Sequence, residues 1–166
     1  MITQEQSNYL LQSLGEAYGQ DLALDEDGCC TLVSLEGHHI QIIHKADEGE
    51  IQFHAVIGEL PEDDKLAAKL LRKFFMTNLL WMDSLGSTFA LNDGKNAIVM
   101  QKRYGDGEAL ESVFIQFVKE FDIQLDFWIE QFLVEDEDSV SETSVNHSDD
   151  LAWLYTQTCN NIWLKA

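Results

Sequence analysis

Residues Cys29–Ile57 read CCTLVSLEGHHIQIIHKADEGEIQFHAVI, and this stretch decides the fold. It divides into three short runs rich in β-branched residues, Cys29–Leu35, His39–His44 and Glu50–Ile57, separated by the turn-forming EG and DEGE. In the last run Ile51, Phe53, Ala55 and Ile57 alternate with Gln52, His54 and Val56, the period of a strand with one cleaner apolar face. Runs joined by turns this short are antiparallel neighbours. A hairpin closing around DEGE sets Gln41 opposite His54 and leaves His39 one diagonal step away on the same sheet face.

Downstream, Pro61, the only proline, marks the change from strand to helix. Asp63 or Asp64 caps a helix that runs to about Leu80. After a turn at Asp83–Ser87 come two more strands, Thr88–Leu91 and Ala97–Arg103, joined by NDGK with its Asp-Gly hairpin signal. YGDG then breaks the chain. A long amphipathic helix covers about Glu108–Phe132, with Leu110, Phe114, Phe117, Phe121, Leu125, Trp128 and Phe132 along one stripe. Upstream, Thr3 and Gln6 form a capping-box pattern, Leu10, Leu11, Leu14, Ala17 and Tyr18 recur at helical spacing, and Gly19 is a stop signal. Residues 134–147, VEDEDSVSETSVNH, are acidic, serine-rich and almost without large apolar groups, the composition of a solvated linker. Beyond it Ser148 or Asp149 caps a last helix with Leu151, Leu154, Tyr155, Thr158 and Ile162 on one face. The expectation is an α+β domain over residues 1–133, ordered helix–three strands–helix–two strands–helix with a twisted antiparallel sheet. The linker and an amphipathic C-terminal helix at 148–166 follow it.

Composition sets the function classes. The 166 residues suffice for one ordinary domain, and with 45% hydrophobic residues the chain is globular in composition. Thirty acidic against ten basic residues give a net charge of −20, which repels phosphate backbones and anionic membrane surfaces. Neither a nucleic-acid partner nor membrane insertion is expected, since no apolar run approaches the ~20 residues of a bilayer span. The first residues, MITQEQSNYLLQSL, lack the basic start and apolar centre of a signal peptide. Three cysteines, two of them adjacent at Cys29 and Cys30 and one at Cys159, read as reduced thiols, so the expected compartment is the cytoplasm.

The chain carries no phosphate-cradling loop, no GxSxG nucleophile elbow and no HExxH. Cys29 and Cys30 lie in a strand, where buried structural thiols are the rule. His38, His39, His44 and His54 cluster on strands two and three, but a catalytic zinc takes three protein ligands, and no third accompanies His39 and His54. The pair reads as histidines on the solvent side of a sheet, and EDED at Glu135–Asp138 lacks the spacing and glycine of a calcium loop. No enzyme, metal or cofactor is expected.

The second helix carries more. In EDDKLAAKLLRKFFMTNLLWM, Glu62–Met82, the residues Leu66, Ala67, Ala68, Leu70, Leu71, Phe74, Phe75, Leu79, Trp81 and Met82 fill an arc of roughly 220°, against the ~100° that one sheet needs. Lys65, Lys69, Arg72 and Lys73 take the rest. A helix enclosed within its own chain would satisfy such an arc. A helix packed on its symmetry mate satisfies it too, because a two-fold contact uses one patch twice, and this is the preferred reading.

The order of elements, the stretch Leu66–Met100 (LAAKLLRKFFMTNLLWMDSLGSTFALNDGKNAIVM) and the helix Phe114–Phe132 (FIQFVKEFDIQLDFWIEQF) resemble the class I chaperones of type III secretion, the Tir-chaperone family. Asn78-Leu79-Leu80, Gly86, the alternating Phe89 and Leu91, Asn92-Asp93, Ile98-Val99-Met100 and Trp128 fit its pattern. The third strand followed by GELP fits as well. The resemblance covers about residues 3–132, and the acidic linker and tail helix depart from the family's usual short C-terminus. It implies a cytosolic homodimer that binds the N-terminal segment of secreted effectors in extended form and delivers it to the secretion-system ATPase. On the helix arc, the dimer role is carried to Leu70, Phe74, Phe75 and Trp81, and the effector role to Leu10, Leu14, Ile43 and Val56. The alternative is an acidic adaptor or inhibitor of a basic partner, whose carboxylates would sit along a rigid surface. Here the densest run falls in the linker.

Overall fold

Thr3 opens the first helix, α1 (Gln4–Tyr18), by the expected reciprocal cap: its hydroxyl accepts from the Gln6 N–H and the Gln6 side chain accepts from the Thr3 N–H. Gly19 closes it in the left-handed region, φ 68°, where a side chain would cost energy. The computed structural model describes residues 1–79, 84–92, 94, 96–105 and 110–137. Their remaining elements are β1 (Cys29–Val33), β2 (His39–Lys45), β3 (Glu50–Glu59), α2 (Asp64–Thr77), β4 (Thr88–Asn92), β5 (Ala97–Tyr104) and α3 (Glu111–Glu137).

The strands make one antiparallel sheet in the order β1–β2–β3–β5–β4, so β1 and β4 are its edges. The fold is α+β. The register is the one the DEGE hairpin implies, with Gln41 opposite His54. Period-two alternation sorts the side chains: Leu32, Ile40, Ile42, Ile51, Phe53 and Ala55 are buried on one face, while Thr31, Gln41, Gln52, His54 and Val56 take the other.

Helices α1 and α3 cover the apolar face. Leu10, Leu11 and Leu14 of α1 are fully buried, and Phe53 meets Phe114, Phe117 and Phe121 of α3 at ring-centroid distances of 5.8, 5.3 and 5.9 Å. A second aromatic group joins α2 to the sheet. Phe74 lies 5.0 Å from Phe89 of β4 and 5.5 Å from Trp128 of α3, with Phe132 at 6.3 Å. Phe132 also lies over β3 at Gly58, where a Cβ would come within 2.4 Å of its ring, so a side chain here would have to displace that ring.

The sequence reading offers Asp63 or Asp64 as the α2 cap, and the C-terminal ends of α2 and α3 differ from it. Asp63 alone caps α2, through bonds from the Lys65 and Leu66 N–H groups, and α2 ends at Thr77 with Asn78 as C-cap. Helix α3 runs on through residues 134–137, the start of the stretch read as a linker, because glutamate and aspartate there do not break a helix already propagating. The remainder of that linker and the expected helix at 148–166 lie outside the described residues.

Candidate functional site

The arc on α2 divides into two stripes with different fates. Leu70, Phe74 and Thr77 point inward and are buried, with Leu66, Ala67 and Leu71 half-buried beside them. Ala68, Arg72, Phe75, Met76 and Leu79 recur at helical spacing on the opposite side, and all are exposed. Phe75 is 49% exposed, Met76 63% and Leu79 72%. Asn78, just before Leu79, fixes where this stripe lies. Its side-chain amide takes both outward backbone groups of Phe89, donating to the carbonyl at 2.9 Å and accepting from the N–H at 2.7 Å. The stripe therefore runs out beside the β4 edge of the sheet.

The second surface is the sheet face away from α1 and α3. A shallow depression of about 570 Å³ there is lined by His39, Gln41, His54, Val56, Val99 and Leu91, among others. Val56, 46% exposed, stands opposite Val99 and gives an apolar floor. Gln41, His54 and Gln101 sit across the strands from one another and surround it with amide and imidazole groups that can both donate and accept. Burial, and behind it the charge of Lys45, holds the His54 imidazole below its ordinary pKa, which favours its neutral form. A neighbouring depression of about 410 Å³ continues it past Gln52, Thr88 and Arg103. Arg103 is turned to Glu48 and Glu50, at 3.2 and 3.5 Å. Neutral hydrogen-bonding groups around small apolar ones suit an extended polypeptide, whose backbone needs partners and whose side chains need shallow pockets.

Of the residues assigned to a dimer contact, Phe75 is exposed on the outer stripe. Leu70 and Phe74 are not surface residues, since both are fully buried within the chain's own core; Trp81 lies outside the described residues. Of those assigned to an effector, Val56 lines the sheet depression and Ile43 is half-buried farther along the same face. Leu10 and Leu14, like Phe74, are fully buried, packed between α1 and the rest of the core. Apolar periodicity finds the inner stripe of a helix as readily as the outer one, and only packing separates them. Met76 and Leu91 were missed on the outside. The signal that could have found Met76 is the spacing 68, 72, 75, 76, 79.

The histidines disperse. His39 is exposed and His54 half-buried on the open sheet face, His44 is buried with Nδ1 2.9 Å from the Ser7 hydroxyl, and His38 pairs with Asp126 of α3 at 2.7 Å. Among the described residues no three histidine, cysteine or acidic side chains converge to hold a metal ion. Burial, with Asp25 and Cys29 nearby, pushes the Cys30 thiol up to about 11, and Cys29 is also raised, the reverse of an activated nucleophile.

The family model of the Tir chaperone protein (CesT) family matches residues 9–123, more than half of the chain and most of the helices and sheet just described. The chain belongs to the Tir chaperone protein family. Its fold is similar to a chain in the crystal structure of the ExsC–ExsE complex, with a TM-score of 0.66 and 17% identity over 78% of this chain and 96% of that one. It is also similar to a chain of the HopA1–SchA chaperone–effector complex, with a TM-score of 0.59 and 13% identity over 78% and 94% of the two chains. The heterodimeric ExoU–SpcU complex from the type III secretion system of Pseudomonas aeruginosa gives 0.52 and 16% over 77% and 95%. No curated protein sequence is significantly similar to the chain. No helix among the described residues is long and apolar enough to cross a membrane.

Proposed function

We propose that the chain is a cytoplasmic chaperone that binds the N-terminal segment of one or more type III secreted effectors and keeps it extended and soluble for export. It acts as a homodimer without catalysing a reaction, and it hands its client to the secretion-system ATPase. The domain spanning residues 1–133 does this work. The single observation that carries the reading is the pair of apolar surfaces left exposed, among the described residues, on a member of this family. Phe75, Met76 and Leu79 form a helical stripe that a two-fold mate can cover with the same stripe. Val56 and Val99, ringed by Gln41, His54 and Gln101, form a floor for an unfolded segment. A net charge of −20 keeps such a carrier soluble while these surfaces are open.

Co-expression with candidate effectors tests the client. An effector carrying its N-terminal segment is expected to co-purify with the chain, and the same effector lacking that segment is expected to be lost. Retention of the truncated effector, or co-purification with none, contradicts the proposal.

A further inference from the structure

An open sheet has two edges, and each presents outward backbone groups on every second residue. On β1 those residues are Cys29, Thr31 and Val33, because Gly28 and Ser34 turn their groups toward β2 through bonds to His44 and His38. The chain returning from α1 closes the two ends of this row. At Cys29 the Asp25 carboxylate accepts from the N–H at 2.8 Å and the Asp25 N–H donates to the carbonyl at 2.8 Å. At Val33 the Gln20 amide does both, accepting from the N–H at 3.0 Å and donating to the carbonyl at 2.5 Å. Between these ends the connector bows away: Leu22 is buried in the core and the Leu24 N–H donates to Asn8 of α1. Thr31, exposed between them, keeps the one outward pair with no partner among the described residues. The β4 edge is closed at Phe89 by the Asn78 amide in the same manner.

The two locks differ in what holds them. Asn78 stands at the C-terminal end of α2, its backbone N–H on the Met76 carbonyl and its side-chain amide on Phe89. Gln20 sits in the connector, half-buried and outside every helix and strand. We infer that Gln20 is a releasable lock on the β1 edge, a side-chain amide standing in for a strand, which an extended polypeptide displaces in order to pair with Thr31 and Val33. With Gln20 in place the edge offers one free residue, too little to hold a strand. With Gln20 displaced it offers two consecutive pairing positions and side chains can alternate across Thr31. This rests on the chaperone reading for the identity of the displacing polypeptide, but the lock itself does not depend on it.

The test uses the full chain and Gln20→Met, which keeps the bulk and removes the amide. Hydrogen exchange at the Val33 N–H is expected to rise about tenfold, the worth of one lost hydrogen bond, while exchange at the Leu32 N–H, paired with β2, is unchanged. Equal acceleration at both would mean general loosening of the strand and would overturn the lock, as would no change at either. The binding probe is a heptapeptide of alternating Val and Thr, N-methylated at every second residue so that it pairs along one edge only and cannot stack on itself. By fluorescence anisotropy Gln20→Met is expected to bind it about tenfold more tightly than the native chain. Equal or weaker binding overturns the inference. Neither readout involves an effector, so a positive result here beside failed effector capture would sink the chaperone reading and leave the lock standing.

Discussion

Phe74 and Phe75 are adjacent, identical and on the same helix, yet they belong to different parts of the molecule's physics. Phe74 is fully buried, meeting Phe89 at 5.0 Å and Trp128 at 5.5 Å, and ties α2 to the sheet and to α3. Phe75, one residue and 100° round the helix, is half-exposed on the stripe with Met76 and Leu79. The inner stripe is held by its own chain; the outer one contributes to stability only when another polypeptide covers it. The proposed dimer uses the stripe that the described fold leaves exposed, and α2 shows how little in composition separates the two stripes.

The contrast can be broken experimentally. Phe74→Ala should cost about 3–5 kcal/mol in denaturant unfolding, the range for deleting a buried aromatic, whereas Phe75→Ala studied on the monomer at high dilution should stay within about 0.5 kcal/mol of the native value. Equal losses would mean that the two stripes are one core. Gly58→Val should cost about 1–3 kcal/mol, because its side chain would occupy the space of the Phe132 ring and force that ring out of its packing. Val56→Asp should leave the thermal midpoint nearly unchanged and lower the recovery of a co-expressed effector, a split that a structural role for Val56 would not produce.

The smallest effect concerns Asp122 of α3, buried beside Ser34 and facing Asp126, His38, Glu36 and Tyr18. Burial raises its pKa, opposed in part by the hydrogen bond with Ser34 and by His38. The native state then holds the proton more readily than the unfolded one. Stability contributed at this site is present in acid and falls as pH rises from the ordinary carboxylate value through the raised native one. Asp122→Asn should remove that fall. The melting temperature of the variant should decline less than that of the native chain over this window, and parallel profiles would refute the assignment.

Much of the fold was legible because its signals are local. The capping box at Thr3, the turn residues around DEGE and the alternation through Ile51–Ile57 each fix an element from a few neighbouring residues, and the His54–Gln41 register follows from the turn. The site was less legible, for a physical reason. Leu10, Leu14, Leu70 and Phe74 have the periodicity of any apolar stripe, and burial depends on what the rest of the chain brings to that side. Gln20 gave no signal at all: an amide that closes a sheet edge is a contact over 13 positions, made by a residue type common in loops. Asn78 could be read as part of a family motif, but its purpose, holding Phe89 from the helix end, appears only in three dimensions.

The central claim is that the outer face of α2 is a surface for another polypeptide chain. Light scattering on the eluting 166-residue chain tests it most directly. The native chain is expected at twice 18.9 kDa and Phe75→Glu at the monomer mass with its fold intact by circular dichroism. A native chain that elutes as a monomer at micromolar concentration, or a Phe75→Glu variant that remains at the native mass, would contradict it.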